Sequence, residues 1–508
     1  MRSGTLLLFA AAATAATALR ALPPLSPTTP RITLCVQRVA PLRLAATTPP
    51  ASADDSADEL MQPGDAAALV AGTAIGGGFL ALPAVTSQLG FFPSAAALVG
   101  VWAFLALTGI AFVEAVATAL EAARAEGEPD ALVSVPSLTE RAFGLRASLV
   151  CSAAFGFQML AVATAQVVKA GEVFSLLAAQ PYPVGCLGAS ALFGAFTFLT
   201  RTSLVERANT VLTVMLIGGF ALLVALTLGS LPEPAVALGR LGAANWAGLL
   251  PQAQAAWAIP IFLNLLCFGQ AIPLVVARSI PQRQQPGADA AEVAATGAVA
   301  AVSPAERLRS TRSAVLVGSI VPLLLSLVWA GVTSAAFPVG AAAPGGGSSD
   351  PVLLLVTSSV GTTALAARLL CAGAIGTTLI ATYLTVNQFA VDFFCTLQGG
   401  CSVDQERNAK LATVALPALL ACGGPTLYLP LLAFAGAGPT TLLFGLVPPL
   451  AALRFRSGGG SVEGKEAAAA SEGPLLPGGA PLLLGLAALA VAMLTVSAGL
   501  AATALLPL

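Results

Sequence analysis

Three successive glycines, Gly76, Gly77 and Gly78, are the residues whose spacing points most directly to chemistry. They sit in Gly72-Thr73-Ala74-Ile75-Gly76-Gly77-Gly78-Phe79-Leu80-Ala81-Leu82-Pro83, within a long apolar stretch. Each glycine costs a helix about 1 kcal/mol relative to alanine, so the run predicts a helix break. At membrane depth, backbone groups freed by a break persist only where they line a cavity or meet a ligand. The two half-helix ends would carry roughly −0.5 and +0.5 of an elementary charge. An amino acid suits them, with its carboxylate on the N–H end and its ammonium on the carbonyl end. Thr73, Gly76, Gly77, Gly78 and Phe79 are therefore candidate substrate-binding residues. The alternative is a small-xxx-small packing face in an unbroken helix.

A second break is expected in Pro260-Ile261-Phe262-Leu263-Asn264-Leu265-Leu266-Cys267-Phe268-Gly269-Gln270-Ala271-Ile272-Pro273, where a Gly-Gln step precedes a proline. Phe268, Gly269 and Gln270 join the candidate site, with carbonyls near Phe268 sharing the ammonium. Phe79, Phe155, Phe262 and Phe268 are candidates for an apolar slot, although core filling explains most phenylalanines here.

Charges inside apolar segments are expensive and are functional candidates by default. Glu114 lies deep in one segment, with Thr118 and Glu121 on the same stripe. A carboxylate in apolar surroundings is the natural carrier of a coupled proton in a chain with no histidine. Lys169, on a stripe with Gln158, Val162 and Gln166, is the second proton-coupling candidate. A satisfied interhelical hydrogen bond for Glu114 and snorkelling for Lys169 are the structural alternatives. Arg368 and Asp392 read as structural partners or end anchors.

Enzymatic chemistry finds no support: there is no H-E-x-x-H, phosphate loop or G-x-S-x-G, and no histidine for a triad. Cys35, Cys151, Cys186, Cys267, Cys371, Cys395, Cys401 and Cys422 form no C-x-x-C pair, so no metal site or disulfide framework is expected. No cofactor is implied. A net charge of −1 without basic runs excludes a nucleic acid partner.

The elements that must hold these residues are membrane helices. The chain is 57% hydrophobic and only 9% charged, against about 25% charged in soluble domains. Its mean hydropathy is +0.88. Segments long enough to cross a bilayer, on the order of 20 residues each, fall at 66–89, 93–120, 146–173, 183–200, 208–229, 252–278, 312–336, 361–394, 409–424, 428–453 and 481–506. An all-α polytopic membrane protein of eleven transmembrane helices is expected. Pro281–Leu308, Gly340–Asp350 and Ser457–Ala480 read as flexible loops.

The positive-inside rule checks that count. With the first segment starting on side A, the side-A loops hold fifteen basic residues, among them Arg124, Arg278, Arg312, Lys410 and Arg456, and side B holds two, Lys169 and Arg240. A miscounted segment would scramble this division, so side A is the cytosol-like or stromal compartment. Segments 1–5 (66–229) and 6–10 (252–453) match as two copies of a five-helix unit. Five is odd, so the second copy is inverted, and the breaks fall in the first segment of each. The eleventh helix (481–506) stands outside the repeat.

Residues 1–50 carry five arginines, no acidic residue, and abundant Ser, Thr, Ala and Pro. This composition reads as a cleaved organellar leader; a disordered tail or membrane anchor is the alternative. The acidic stretch 51–65 reads as a linker outside the membrane. The expected location is a plastid (chloroplast) envelope, with a plasma or other inner membrane as the alternative.

Val70 to Pro83 resembles the first-span signature of the tryptophan/tyrosine permease family, aromatic amino acid permeases of the amino acid–polyamine–organocation superfamily. Ala165-Gln166-Val167-Val168-Lys169-Ala170-Gly171 resembles its third-span end. Phe268 to Pro273 resembles its sixth-span break, and Leu432–Gly438 with Leu443–Pro448 its tenth span. The resemblance covers about 66–455. It implies a leucine-transporter-like 5+5 inverted repeat with discontinuous helices 1 and 6. It further implies proton-coupled transport of tryptophan or tyrosine, with the amino acid, the proton and the lipid bilayer as partners; a sodium-coupled or uncoupled amino acid exchanger of the same fold and a non-transporting membrane receptor or scaffold are the alternatives.

Overall fold

The structure, a computed structural model, describes residues 61–126, 133–231, 233–249, 258–280, 304–336, 351–356, 361–398, 403–457, 475–476 and 478–505. The leader, most of the acidic linker and most of the three loop inserts lie outside the described residues, as does the side chain of Asp392.

Helix 1 runs Pro63–Ala74, gives way at Ile75 and Gly76 to extended backbone, makes a 3-10 turn over Gly77–Ala81 and resumes as Leu82–Leu89. Its halves are bent by 45°. Pro63 opens it, where a missing N–H costs nothing. Asp65 therefore belongs to the first helical turn. Helices 2 to 5 are Phe91–Ala125, Leu145–Ala178, Tyr182–Leu199 and Thr202–Gly229. Helix 6 is Ala258–Leu265, interrupted at Leu266–Phe268, then a 3-10 turn over Gly269–Ala271 and Ile272–Ser279. Helices 7 to 9 are Pro304–Ala336, Gly361–Gln398 and Val403–Ala421. Helix 10 comprises Tyr428–Ala435, a π-helical stretch Gly436–Leu446 and Val447–Arg456, and helix 11 is Gly479–Leu505.

Among the described residues, nine helices are long and apolar enough to cross a membrane, and the bent pair of helix 1 makes a tenth span. Helix 9 lies at the ninth expected segment, 409–424, but falls short of a span. Asp404, Glu406, Arg407 and Lys410 fill its first turns and pair along the helix, leaving Leu411–Ala421 as its apolar length. It packs against helices 3, 4 and 8.

The packing repeats with an offset of five. Helix 3 packs on helix 10, and helix 8 on helix 5; helix 1 packs on helix 7, and helix 6 on helix 2; helix 3 packs on helix 4, and helix 8 on helix 9. Two short helices that hydropathy did not reveal obey the same offset: Val135–Phe143 follows helix 2 and packs on helix 3, and Pro351–Val356 follows helix 7 and packs on helix 8. The chain therefore has the leucine-transporter-like 5+5 inverted repeat with helices 1 and 6 broken. The core gathers around helices 1, 2, 3, 6, 8 and 10. Helix 5 turns Val211, Val214 and Ile217 outward, an apolar face suited to lipid.

Candidate functional site

The site forms where the two breaks meet. The β-position of Gly78 lies 3.6 Å from Leu265 and 4.0 Å from the Asn264 amide nitrogen of helix 6. Gly77 is fixed on both sides. Its N–H donates to Thr378 Oγ1 of helix 8 at 2.7 Å, and its carbonyl accepts from the Tyr428 hydroxyl of helix 10 at 2.9 Å. Thr378 in turn donates to the Ala374 carbonyl. The third face of Gly77 touches Gln166 of helix 3 so closely that a β-carbon would fall within that carboxamide. The backbone groups freed at Gly77 thus meet side chains of the second repeat rather than open space.

The carbonyls expected to receive an ammonium are also engaged: Gly76 O accepts from Phe79 N–H, and Phe268 O from Ala271 N–H, each at 3.0 Å. Thr73 is exposed and donates to Val70 O of its own helix. Gln270 is exposed, and Gly269 packs under the ring of Phe444. Phe79 is 4% exposed, with its ring centroid 5.2 Å from Phe220 and 6.4 Å from Trp329. Phe268 is buried against Gly109 of helix 2. Phe262 is buried too, and Phe155 packs on Phe389 6.1 Å away. Of the phenylalanines considered for an open slot, Phe79, Phe262 and Phe268 are core residues in this state, and Phe155 is half-buried.

Exposure divides the site by side. Towards side A, Gly72, Thr73 and Gln270 are exposed, Gly76 and Gly78 half-buried, and residues 153–157 of helix 3 and 384–391 of helix 8 half-buried. Towards side B, every residue from Ala163 to Gly171 of helix 3 is buried, and Tyr428 is 4% exposed. A cavity of about 360 Å³ bordered by Arg240, Ser230 and Thr363 lies at the side-B ends of helices 5 and 8, away from the breaks.

Lys169 and Glu114 occupy different settings. Lys169 is 1% exposed; its ammonium pairs with Glu172 Oε2 at 2.8 Å and lies 4.9 Å from the centre of the Tyr428 ring. It does not snorkel, because the side chain turns along its own helix to Glu172. Tyr428 connects this pair to Gly77. Glu114 departs from the apolar setting expected of it. Arg456 Nε and Nη2 reach its two carboxylate oxygens at 2.6 and 2.8 Å, and Leu475 N–H donates to the second at 3.2 Å. Arg312 donates to the Leu475 carbonyl at 2.8 Å. This cluster fixes the segment before helix 11 onto helices 2, 7 and 10, and it is separate from the breaks.

Sequence reasoning missed Thr378 and Tyr428. Tyr428 offered a faint signal as one of three tyrosines in the chain. Thr378 offered none, since threonines in membrane helices commonly bond their own preceding turn.

Residues 64–279 and 303–469 match the tryptophan/tyrosine permease family. Among curated relatives, tyrosine-specific transport system 1 of Haemophilus influenzae is 28% identical over 207 residues, 40% of this chain and 47% of that protein. Tyrosine-specific transport system 2 of the same organism is 32% identical over 110 residues, 22% of this chain and 25% of that protein. The chain thus spans about half or less of the length of these relatives. Among solved structures, a Na+-coupled sialic acid symporter in a substrate-bound outward-open state aligns with a TM-score of 0.49 at 13% identity, over 87% of this chain and 90% of that one. The family match covers most of the described helices and both breaks, and the chain belongs to the tryptophan/tyrosine permease family.

Proposed function

We propose that this integral membrane protein is a secondary active transporter that carries an aromatic amino acid, tryptophan or tyrosine, with a proton by alternating access. The observation that carries this reading is the meeting of two helix breaks, buried towards side B and with Gly72, Thr73 and Gln270 exposed towards side A. Half-helix ends there suit the charged ends of an amino acid, and the tyrosine-specific names of the relatives favour an aromatic side chain. The test is uptake into proteoliposomes of an amino acid panel under an imposed pH gradient, with and without sodium. Uptake of tryptophan or tyrosine that rises with the gradient and ignores sodium is expected. Indifference to pH would defeat proton coupling, and the absence of any saturable counterflow would defeat transport.

Of the two proton-coupling candidates, the geometry favours Lys169 with Glu172. The pair is buried, and Tyr428 links it to the break, so a change of charge there bears on Gly77 through one side chain. Glu114 is better suited to anchoring helix 11.

The composition of residues 1–50 supports delivery to a plastid envelope. A fluorescent protein fused after residue 60 should enter plastids; accumulation in the secretory pathway or cytosol would count against that location.

A further inference from the structure

Gln166 is buried without measurable exposure, yet neither Oε1 nor Nε2 has a hydrogen-bond partner in the described structure. Buried polar groups in folded proteins are nearly all satisfied, and each exception needs a reason. This one lies against the break itself, with its carboxamide on Gly77. Around it, Thr378 and Tyr428 engage both backbone groups of Gly77, and local N–H groups engage the carbonyls of Gly76 and Phe268. Hydrogen-bonding capacity remains on Gln166: two N–H donors and two lone pairs on one planar group. Gly76 and Gly78 are half-buried, so partial exposure reaches within one residue of the carboxamide on either side.

We propose that Gln166 binds the main chain of the amino acid, Nε2 donating to the α-carboxylate and Oε1 accepting from the α-ammonium. The position favours the charged end over the side chain. Gly77 heads the 3-10 turn that leads into the second half of helix 1, and the dipole of that half favours an anion even with the Gly77 N–H taken by Thr378. A carboxamide offers a donor and an acceptor side by side, as a zwitterion presents an acceptor and a donor. The proposal rests on the reading of the break as the amino acid site.

The test measures ligand binding and melting temperature of the purified full-length protein for wild type, Gln166→Leu and Gln166→Asn. The ligands are L-tyrosine, L-phenylalanine, L-tryptophan, tyramine, which lacks the carboxylate, and 4-hydroxyphenylpropionate, which lacks the ammonium. Wild type should prefer whole amino acids to both truncated analogues. Gln166→Leu should lose on the order of 10- to 100-fold in affinity for all the amino acids that bind, the scale of a charge-assisted hydrogen bond. It should lose less for each analogue, which keeps only one of the two groups that Gln166 contacts, so that the preference for whole amino acids narrows, and it should melt higher without ligand because an unsatisfied amide is gone. Gln166→Asn should fall between, and carries the same comparison if the leucine variant does not fold. Wild-type affinity in the variants would overturn the proposal, as would loss of discrimination between tyrosine and phenylalanine with the analogue pattern unchanged. Failure of wild type to bind any amino acid would instead overturn the underlying site, and the proposal with it.

Discussion

Gly77→Val is expected to abolish amino acid uptake, by on the order of 100-fold or more, while the protein still inserts in the membrane. The break leaves no room at this position: Gln166 occupies the β-position, and Thr378 and Tyr428 fix the peptide groups on either side. Overpacking a well-packed core costs about 1–3 kcal/mol, which inserted helices survive, whereas a displacement of about 1 Å at a reacting or binding geometry costs about 100-fold. Uptake normalised to inserted protein measures the effect, and retained transport would refute the site. Gly77→Ala combined with Gln166→Ala separates the two roles of the contact. The pair should recover the melting temperature lost by Gly77→Ala, because the steric conflict is removed, without recovering binding.

Lys169→Met is expected to be among the most destabilising single changes in the core. Removing one partner of a buried ion pair costs about 3–5 kcal/mol, because the remaining charge stays buried. Here Glu172, 13% exposed, would be left, and the cation would be lost from the Tyr428 ring. Lys169→Met with Glu172→Gln removes both charges and should regain most of that stability. The double variant should bind amino acid yet no longer respond to a pH gradient. Melting curves and gradient-driven uptake check the two halves. A stable single variant would deny the pair its structural weight, and a double variant still driven by the gradient would place the coupling elsewhere.

The parts of this fold legible in the sequence are those written in local composition. Glycines at 76–78 and the Gly-Gln step at 269–270 announce breaks because propensity acts within a turn or two. The basic residues divide between alternate loops in a pattern that supports the span count, because each loop is read alone. Helix 9 was harder to read, since its charged first turns and short apolar remainder lie between a surface helix and a span. What stayed hidden depends on distant pairing. Arg456 reaches Glu114 from 342 positions away, Tyr428 reaches Gly77 from 351, and Thr378 from 301. No local pattern records such partners, so Glu114 read as a lone charge. Phe79 likewise read as lining, because its neighbours Phe220 and Trp329 come from helices 5 and 7.

The two repeats differ in one respect. Helix 1 bends by 45° at its break, whereas helix 6 carries across its own as one span of 22 residues. One molecule therefore displays a single five-helix unit in two shapes, placed head to tail across the bilayer. If the copies traded shapes, the two broken helices would exchange roles, and the exposed end of the site would turn from side A to side B. Under the alternating access proposed above, the opposite-facing conformation would then be the present one turned over, with each repeat serving as the template for what the other becomes.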